Sequence, residues 1–142
     1  MKIALGADHG GFELKEQIKK MLADLGHDVS DVGCHSLDSI DYPDIADALS
    51  AKITDGSCPS GILICGTGIG MSMAVNREPR IRAALCHNEY TARMSREHNN
   101  ANVLCLGARV TGVGVAEAIV EAWLNTEFAG GRHQRRIDRF SK

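Results

Sequence analysis

Gly61-Ile62-Leu63-Ile64-Cys65 runs directly into Gly66-Thr67-Gly68-Ile69-Gly70. Five small or apolar residues without alternation read as a strand buried on both faces, the kind found inside a parallel sheet. The glycine-rich turn after it opens a helix that ends near Asn76. Glycines at alternate positions allow the backbone to approach a ligand closely, and the first turn of a helix offers unpaired N–H groups. The segment therefore reads as an anion cradle, for a phosphate or for an oxyanion that develops during reaction. The plainer alternative is a tight strand-to-helix turn with no ligand.

The same order of strand and helix repeats on both sides. Ile3-Ala4-Leu5-Gly6 is a short apolar strand ending at Asp8-His9-Gly10-Gly11. Leu14, Ile18, Met21, Leu22 and Leu25 then recur at helical spacing, and Gly26 closes the helix. Asp28 to Val32 reads as a second strand, and Asp41-Tyr42-Pro43 starts a helix with Ile45, Leu49 and Ile53 on one face. Pro43 is tolerated there because it falls in the first turn. Ile81 to Cys86 reads as a fourth strand, 89–98 as a polar helix, and Val103 to Leu106 as a fifth strand. A long helix carrying Val113, Ala116, Ile119, Val120 and Trp123 precedes a basic tail. Right-handed crossovers between such units predict a three-layer α/β/α, Rossmann-like fold around a five-stranded parallel sheet. In that fold class ligands sit beyond the carboxyl ends of the strands. Asp8-His9, Cys65 to Gly70 and the turns after strands four and five are the places so marked.

The chain has 142 residues, 44% hydrophobic and 24% charged, which suits one domain over 1–142 and excludes a disordered chain. Aromatics at 4% are poor material for stacking nucleic-acid bases, and a net charge of −2 attracts neither nucleic acid nor anionic membrane. Five basic residues in 132–142 stand against Asp138 alone, a local charge of +4 that leaves the first 131 residues at −6. That tail is either a solvated helix end or a local anion site. No apolar run approaches the ~20 residues of a membrane span. Met1 leads straight into the first strand, so no signal peptide and a reduced, cytoplasmic setting are expected. The five cysteines form no C-x-x-C pair, which removes zinc ribbons and thioredoxin-like motifs.

Counting tests three readings of the glycine loop. Its spacing is G-x-G-x-G, whereas a dinucleotide fingerprint needs G-x-G-x-x-G. A phosphatase-type cysteine loop wants an arginine where Met71 stands, and a phosphate-binding Gly-Lys-Ser/Thr is missing. Cys65 sits at a strand end facing a helix N-terminus, a setting that favours a thiolate able to act as base or nucleophile. Cys86 and Cys105 lie inside apolar strands and read as core, while Cys34 and Cys58 fall in polar turns and carry no signal. Asp8-His9 closes strand one on the same edge and suits proton transfer on a hydroxyl. His98 precedes strand five, where a lone histidine is often a cap or a surface residue. His27, His35 and His87 show no metal-ligand spacing. Arg132 and Arg136 are four apart, so a helix would set them on one face to clamp a phosphate, with Arg135 and Arg139 left to solvent.

Gly6-Ala7-Asp8-His9-Gly10-Gly11-Phe12, Asp41-Tyr42-Pro43-Asp44, Gly61 to Gly70, His98-Asn99 and Gly130-Gly131-Arg132-His133-Gln134 together resemble the ribose-5-phosphate isomerase type B family, nearly end to end. That family also holds allose-6-phosphate and galactose-6-phosphate isomerases. The resemblance implies aldose–ketose isomerisation of a sugar phosphate through an enediolate, as between ribose 5-phosphate and ribulose 5-phosphate in the pentose phosphate pathway, with no metal or cofactor. It implies Cys65 as the base between C1 and C2. Gly66, Gly68, Ile69 and Gly70 would form the oxyanion loop, with Thr67 assisting ring opening or hydroxyl proton transfer. His98, assisted by Asp8, would open the furanose. His9, Arg109, Arg132 and Arg136 would hold the phosphate, and Tyr42 and Asn99 would line the sugar. Members with a glutamate just after the loop lack the cysteine; this chain has Met71 there and resembles the cysteine-dependent branch. The resemblance also implies a homodimer or dimer of dimers with shared sites, Cys65 of one subunit working with His98 of its neighbour. A five- or six-carbon substrate stays open.

Two competitors use the same fold. A non-catalytic sugar-phosphate binding domain would have no need of a thiol at the oxyanion loop. A signalling receiver domain would need an aspartate where Cys65 stands and a lysine near Arg109.

Overall fold

The computed structural model describes residues 1–141; Lys142, the last residue of the basic tail, lies outside them. Five strands form a parallel sheet: β1 (Lys2–Ala7), β2 (Asp28–Gly33), β3 (Ser60–Cys65), β4 (Ala83–Leu85) and β5 (Val103–Gly107). Their spatial order is β2-β1-β3-β5-β4. Between them run α1 (Phe12–Asp24), α2 (Tyr42–Thr54), α3 (Ile69–Val75), α4 (Glu89–Glu97) and α5 (Val113–Leu124), and α6 (Arg132–Ile137) follows. The three-layer α/β/α arrangement is the expected one.

β3 sits at the centre, and all six of its residues are buried, which explains its unbroken apolar run. Its side chains still alternate. Ile62 and Ile64 join Ile3, Leu5, Leu104 and Leu106 beneath α1 and α5, packed on Leu14, Ile18, Leu22, Ile119 and Val120. Leu63 and Cys65 face the opposite layer, with Ile45 and Leu49 of α2 and Met71 and Val75 of α3. Each fully buried aliphatic side chain of this kind contributes about 1.5–3 kcal/mol relative to exposure.

Several local expectations shift. β4 has three residues, not the six from Ile81 to Cys86, because only its middle pairs with β5. Cys34 and Cys58, expected in polar turns, are both buried. Cys58 packs among Ala46, Leu49 and Ile81 in the second core layer, and the Cys34 thiol donates to the Ser36 carbonyl at 3.3 Å. Cys86 and Cys105 are core residues as expected, and burial pushes both thiols up. The polar helix α4 is anchored by Asn88, whose Oδ1 accepts the Thr91 N–H at 2.8 Å, and by buried Ala92 and Ser95. Lys15 is a surprise for its residue type. Its side chain is fully buried, with Nζ 2.7 Å from Asp31 Oδ2 and donating to the Cys34 carbonyl at 2.7 Å. Among the described residues, no helix is long and apolar enough to cross a membrane.

Candidate active site

α1 leaves β1 on one face of the sheet, and α2 brings the chain back to β3 on the other face. The neighbouring ends of β1 and β3 therefore open a crevice at the point where the connections change sides. Hydrogen bonds tie the loops together there. The Asp8 N–H donates to the Ile64 carbonyl at 3.2 Å, and the Ala108 and Arg109 N–H groups donate to Cys65 and Gly66 carbonyls at 2.9 Å. Loops after β1, β3 and β5 thus converge on one edge.

Cys65 ends β3 with 5% of its surface exposed, and its Sγ accepts the N–H of Gly68 at 3.0 Å. That donor belongs to the residue just before α3, so the helix start is aimed at the sulfur. Gly68 has φ of 79°, and a Cβ there would lie 2.5 Å from Leu85 Cδ1 and 2.9 Å from the Leu106 carbonyl carbon. Only glycine fits that position. At Gly70 a Cβ would lie 2.6 Å from Tyr42 Cζ, so the missing side chain is what lets the Tyr42 ring rest on the loop. Thr67 is exposed, and its Oγ1 accepts the Ile69 N–H at 3.2 Å. Arg109 reaches over from the β5 loop; a Cβ on Gly66 would be 3.0 Å from its Nη1. Asp8 Oδ1 caps the turn at His9–Gly11, accepting from the Gly10 and Gly11 N–H groups at 2.9 and 3.2 Å. His9 Nδ1 accepts the Ile40 N–H at 3.2 Å, which leaves Nε2 to carry the ring proton when the imidazole is neutral.

A second group of candidates lies elsewhere. α4 returns antiparallel to the strands, so His98 at its end sits toward their amino-terminal edge. The Asn102 carbonyl, four residues on, accepts from Gly61 at the start of β3. The His98 ring stacks on His133, centroids 4.3 Å apart and planes 11° from parallel. Arg132 and Arg136 share α6 with His133, as their spacing predicted, and both are exposed. Burial, with the charges of His98, Arg132 and Arg136, holds the His133 imidazole below its ordinary value. Asn99 is exposed beside His98. The Ala129 N–H donates to the Glu97 carbonyl at 3.0 Å and binds the two segments together.

The pattern of the Ribose/Galactose Isomerase family matches residues 3–140. The chain belongs to that family. It is 46% identical over 137 residues to the Ribose-5-phosphate isomerase B of Escherichia coli, covering 96% of this chain and 92% of that protein. It is 43% identical to the D-erythrulose-4-phosphate isomerase of Pectobacterium atrosepticum, covering 98% and 92%. The Ribose-5-Phosphate Isomerase B structure of Clostridium thermocellum superposes with a TM-score of 0.98 at 50% identity, over 99% of this chain and 95% of that one.

Family membership makes this chain an isomerase, and its candidate residues fall into two groups. Asp8, His9, Tyr42, Cys65 to Gly70 and Arg109 gather at the carboxyl edge of the sheet. His98, Asn99, Arg132 and Arg136 gather at the other end, and the chain by itself does not bring them to Cys65. β3 and β5 pair from Gly61–Val103 to Cys65–Gly107, four steps of about 3.3 Å, so roughly 13 Å of strand separates the two ends. His133, which stacks on His98, stands in the 130–134 segment beside Arg132 and is a further residue of this second group. Lys15 holds the Cys34 carbonyl at the head of the loop that leads to Ile40 and Tyr42. Among the described residues, no three His, Cys, Asp or Glu side chains are grouped to hold a metal ion.

Proposed function

We propose that this protein interconverts ribose 5-phosphate and ribulose 5-phosphate through an enediolate, with Cys65 as the base. The observation that carries the proposal is the buried Cys65 Sγ facing the Gly68 N–H at 3.0 Å on a glycine loop in the β1/β3 crevice. A proton next to a carbonyl is weakly acidic, so its removal needs a base and a donor for the developing oxyanion within one small volume. The loop supplies both. Cys65 takes the proton from C2 of the open-chain aldose, the enediolate oxygen rests on loop N–H groups, and the proton returns at C1. Thr67 relays the hydroxyl proton. Tyr42, packed on Gly70, walls the sugar, and His9 and Arg109 face the phosphate end.

A second copy of the chain completes this site. His98 and Asn99 of one subunit approach Cys65 of the other, with Arg132 and Arg136 adding charge for the phosphate; His98, with Asp8, opens the furanose. The separation of the two groups within one chain supports the shared site. The protein is then a homodimer or a dimer of dimers acting in the cytoplasm.

The test is a coupled assay with ribose 5-phosphate, allose 6-phosphate and galactose 6-phosphate, each with and without chelator. Ribose 5-phosphate turnover that survives chelator is expected. Cys65→Ala should cost roughly two to four orders of magnitude while the fold is retained. Near-normal turnover by Cys65→Ala, or a clear preference for a hexose 6-phosphate, refutes the base or the substrate respectively.

A further inference from the structure

A cavity of about 300 Å³ lies at the amino-terminal edge of the sheet, lined by Ser60, Arg82, Arg96, Asn100, Asn102 and Trp123 among others. None of these residues belongs to the machinery proposed for isomerisation. Two arginines line the cavity, and no Asp or Glu does. Among the described residues, neither arginine forms an ion pair.

Neutral acceptors take up only part of their donor capacity. Arg82 Nε donates to the Asn100 carbonyl at 3.0 Å. Arg96 Nε donates to the Thr126 carbonyl at 3.3 Å, and its Nη1 donates to Asn100 Oδ1 at 3.2 Å and to the Ala101 carbonyl at 2.5 Å. Both terminal nitrogens of Arg82 and Nη2 of Arg96 have no acceptor among the described residues. Partial burial holds both guanidinium groups below their ordinary value, and the charge of Arg82 adds to this for Arg96. Trp123 lines the same cavity. It is 2% exposed, and its buried indole N–H has no hydrogen-bond partner among the described residues, which is costly for a buried donor. The Arg96 guanidinium lies over the same ring, 5.4 Å from its centre.

Two like charges therefore share a small cavity, and their free guanidinium N–H groups are donors. A bound oxyanion would neutralise the charge and accept those donors, and the guanidinium fork matches a carboxylate or a phosphate. We propose that this cavity is a second anion site, taking a small phosphate or carboxylate, separate from the phosphosugar site. Arg96 and Asn100 flank His98 and Asn99 in the chain, so an occupant also braces the segment that presents those two residues.

Trp123 is the only tryptophan in the sequence, so intrinsic fluorescence reads this cavity directly. The protein is titrated with sodium phosphate and, separately, with citrate, ionic strength being held constant with chloride. A saturable change in at least one titration is expected, and which anion produces it distinguishes phosphate from carboxylate. Arg82→Met should weaken that response about tenfold or more, the loss expected for a charge-assisted hydrogen bond. Arg82→Lys, which keeps the charge without the fork, should weaken it less; circular dichroism checks that both variants are folded. Arg132→Ala should leave the titration unchanged. No saturable response to either anion, a response untouched in both folded Arg82 variants, or one lost in Arg132→Ala overturns the proposal.

Discussion

Mixing two inactive variants tests the shared site most directly. Within one chain Cys65 ends β3 while His98 follows α4, and the paired register of β3 and β5 puts roughly 13 Å of strand between the two edges. Proton transfer needs contact near 3 Å. No side-chain rotamer closes that gap, so Cys65→Ala and His98→Ala homodimers should each be nearly inactive. Partial unfolding and reassociation of an equal mixture pairs subunits at random, and half of the dimers are then heterodimers. Each heterodimer holds one site with both groups intact and one with neither. About a quarter of the wild-type rate should therefore return, measured by ribose 5-phosphate turnover after reassociation. Mass spectrometry of the intact assembly counts the heterodimers independently. A mixture that stays inactive while heterodimers are present would refute the shared site.

Gly68→Ala places a Cβ 2.9 Å from the Leu106 backbone at φ of 79°, so it should destabilise the fold by about 1–3 kcal/mol in urea denaturation and displace the donor to Cys65; unchanged stability would contradict it. Arg132→Ala and Arg136→Ala should each raise KM roughly tenfold to a hundredfold, more than Arg135→Ala or Arg139→Ala; four equal effects would mean a diffuse field. Asp31 tests the buried lysine. Burial raises its pKa, but hydrogen bonds from Lys15, Lys19 and the Gly33 N–H outweigh this and leave the carboxyl below its usual range. The unfolded chain thus binds the Asp31 proton more readily, so the stabilisation is complete above about pH 3.8 and is lost as pH falls through the lower folded value. Asp31→Asn leaves buried Lys15 with the half-exposed Glu16 carboxylate at 3.2 Å and the Cys34 carbonyl at 2.7 Å, so it should cost about 1.5–3 kcal/mol at pH 7 and flatten the loss toward pH 3. Equal stability of the two proteins at pH 7 would refute that role.

How far the chain can be read without its fold depends on the range of the interactions involved. The apolar run Ile62 to Cys65, the glycine loop and the i, i+4 spacing of Arg132 and Arg136 are local patterns, and each survives in the structure at its expected place. Burial was harder to read. Cys34 and Cys58 looked like turn residues because their neighbours are polar, yet both are buried: Cys58 joins Ala46, Leu49 and Ile81 in the core, and the Cys34 backbone meets Ala7 and Lys15. No local pattern marks Lys15 for burial; Asp31 and the Cys34 carbonyl, which hold its ammonium, stand sixteen and nineteen residues away.

By itself the sequence determined the α/β class, the alternation of five strands with helices, and the place of the glycine turn that follows β3. These follow from periodicity and turn chemistry, which act over a few residues. Only the tertiary structure decided the order β2-β1-β3-β5-β4, which opens the crevice between β1 and β3. Only it carried His98 away from Cys65 and stacked it on His133, 35 residues later in the chain. Strand neighbours and helix faces are chosen by packing between distant segments, and that choice leaves no periodic trace in the chain.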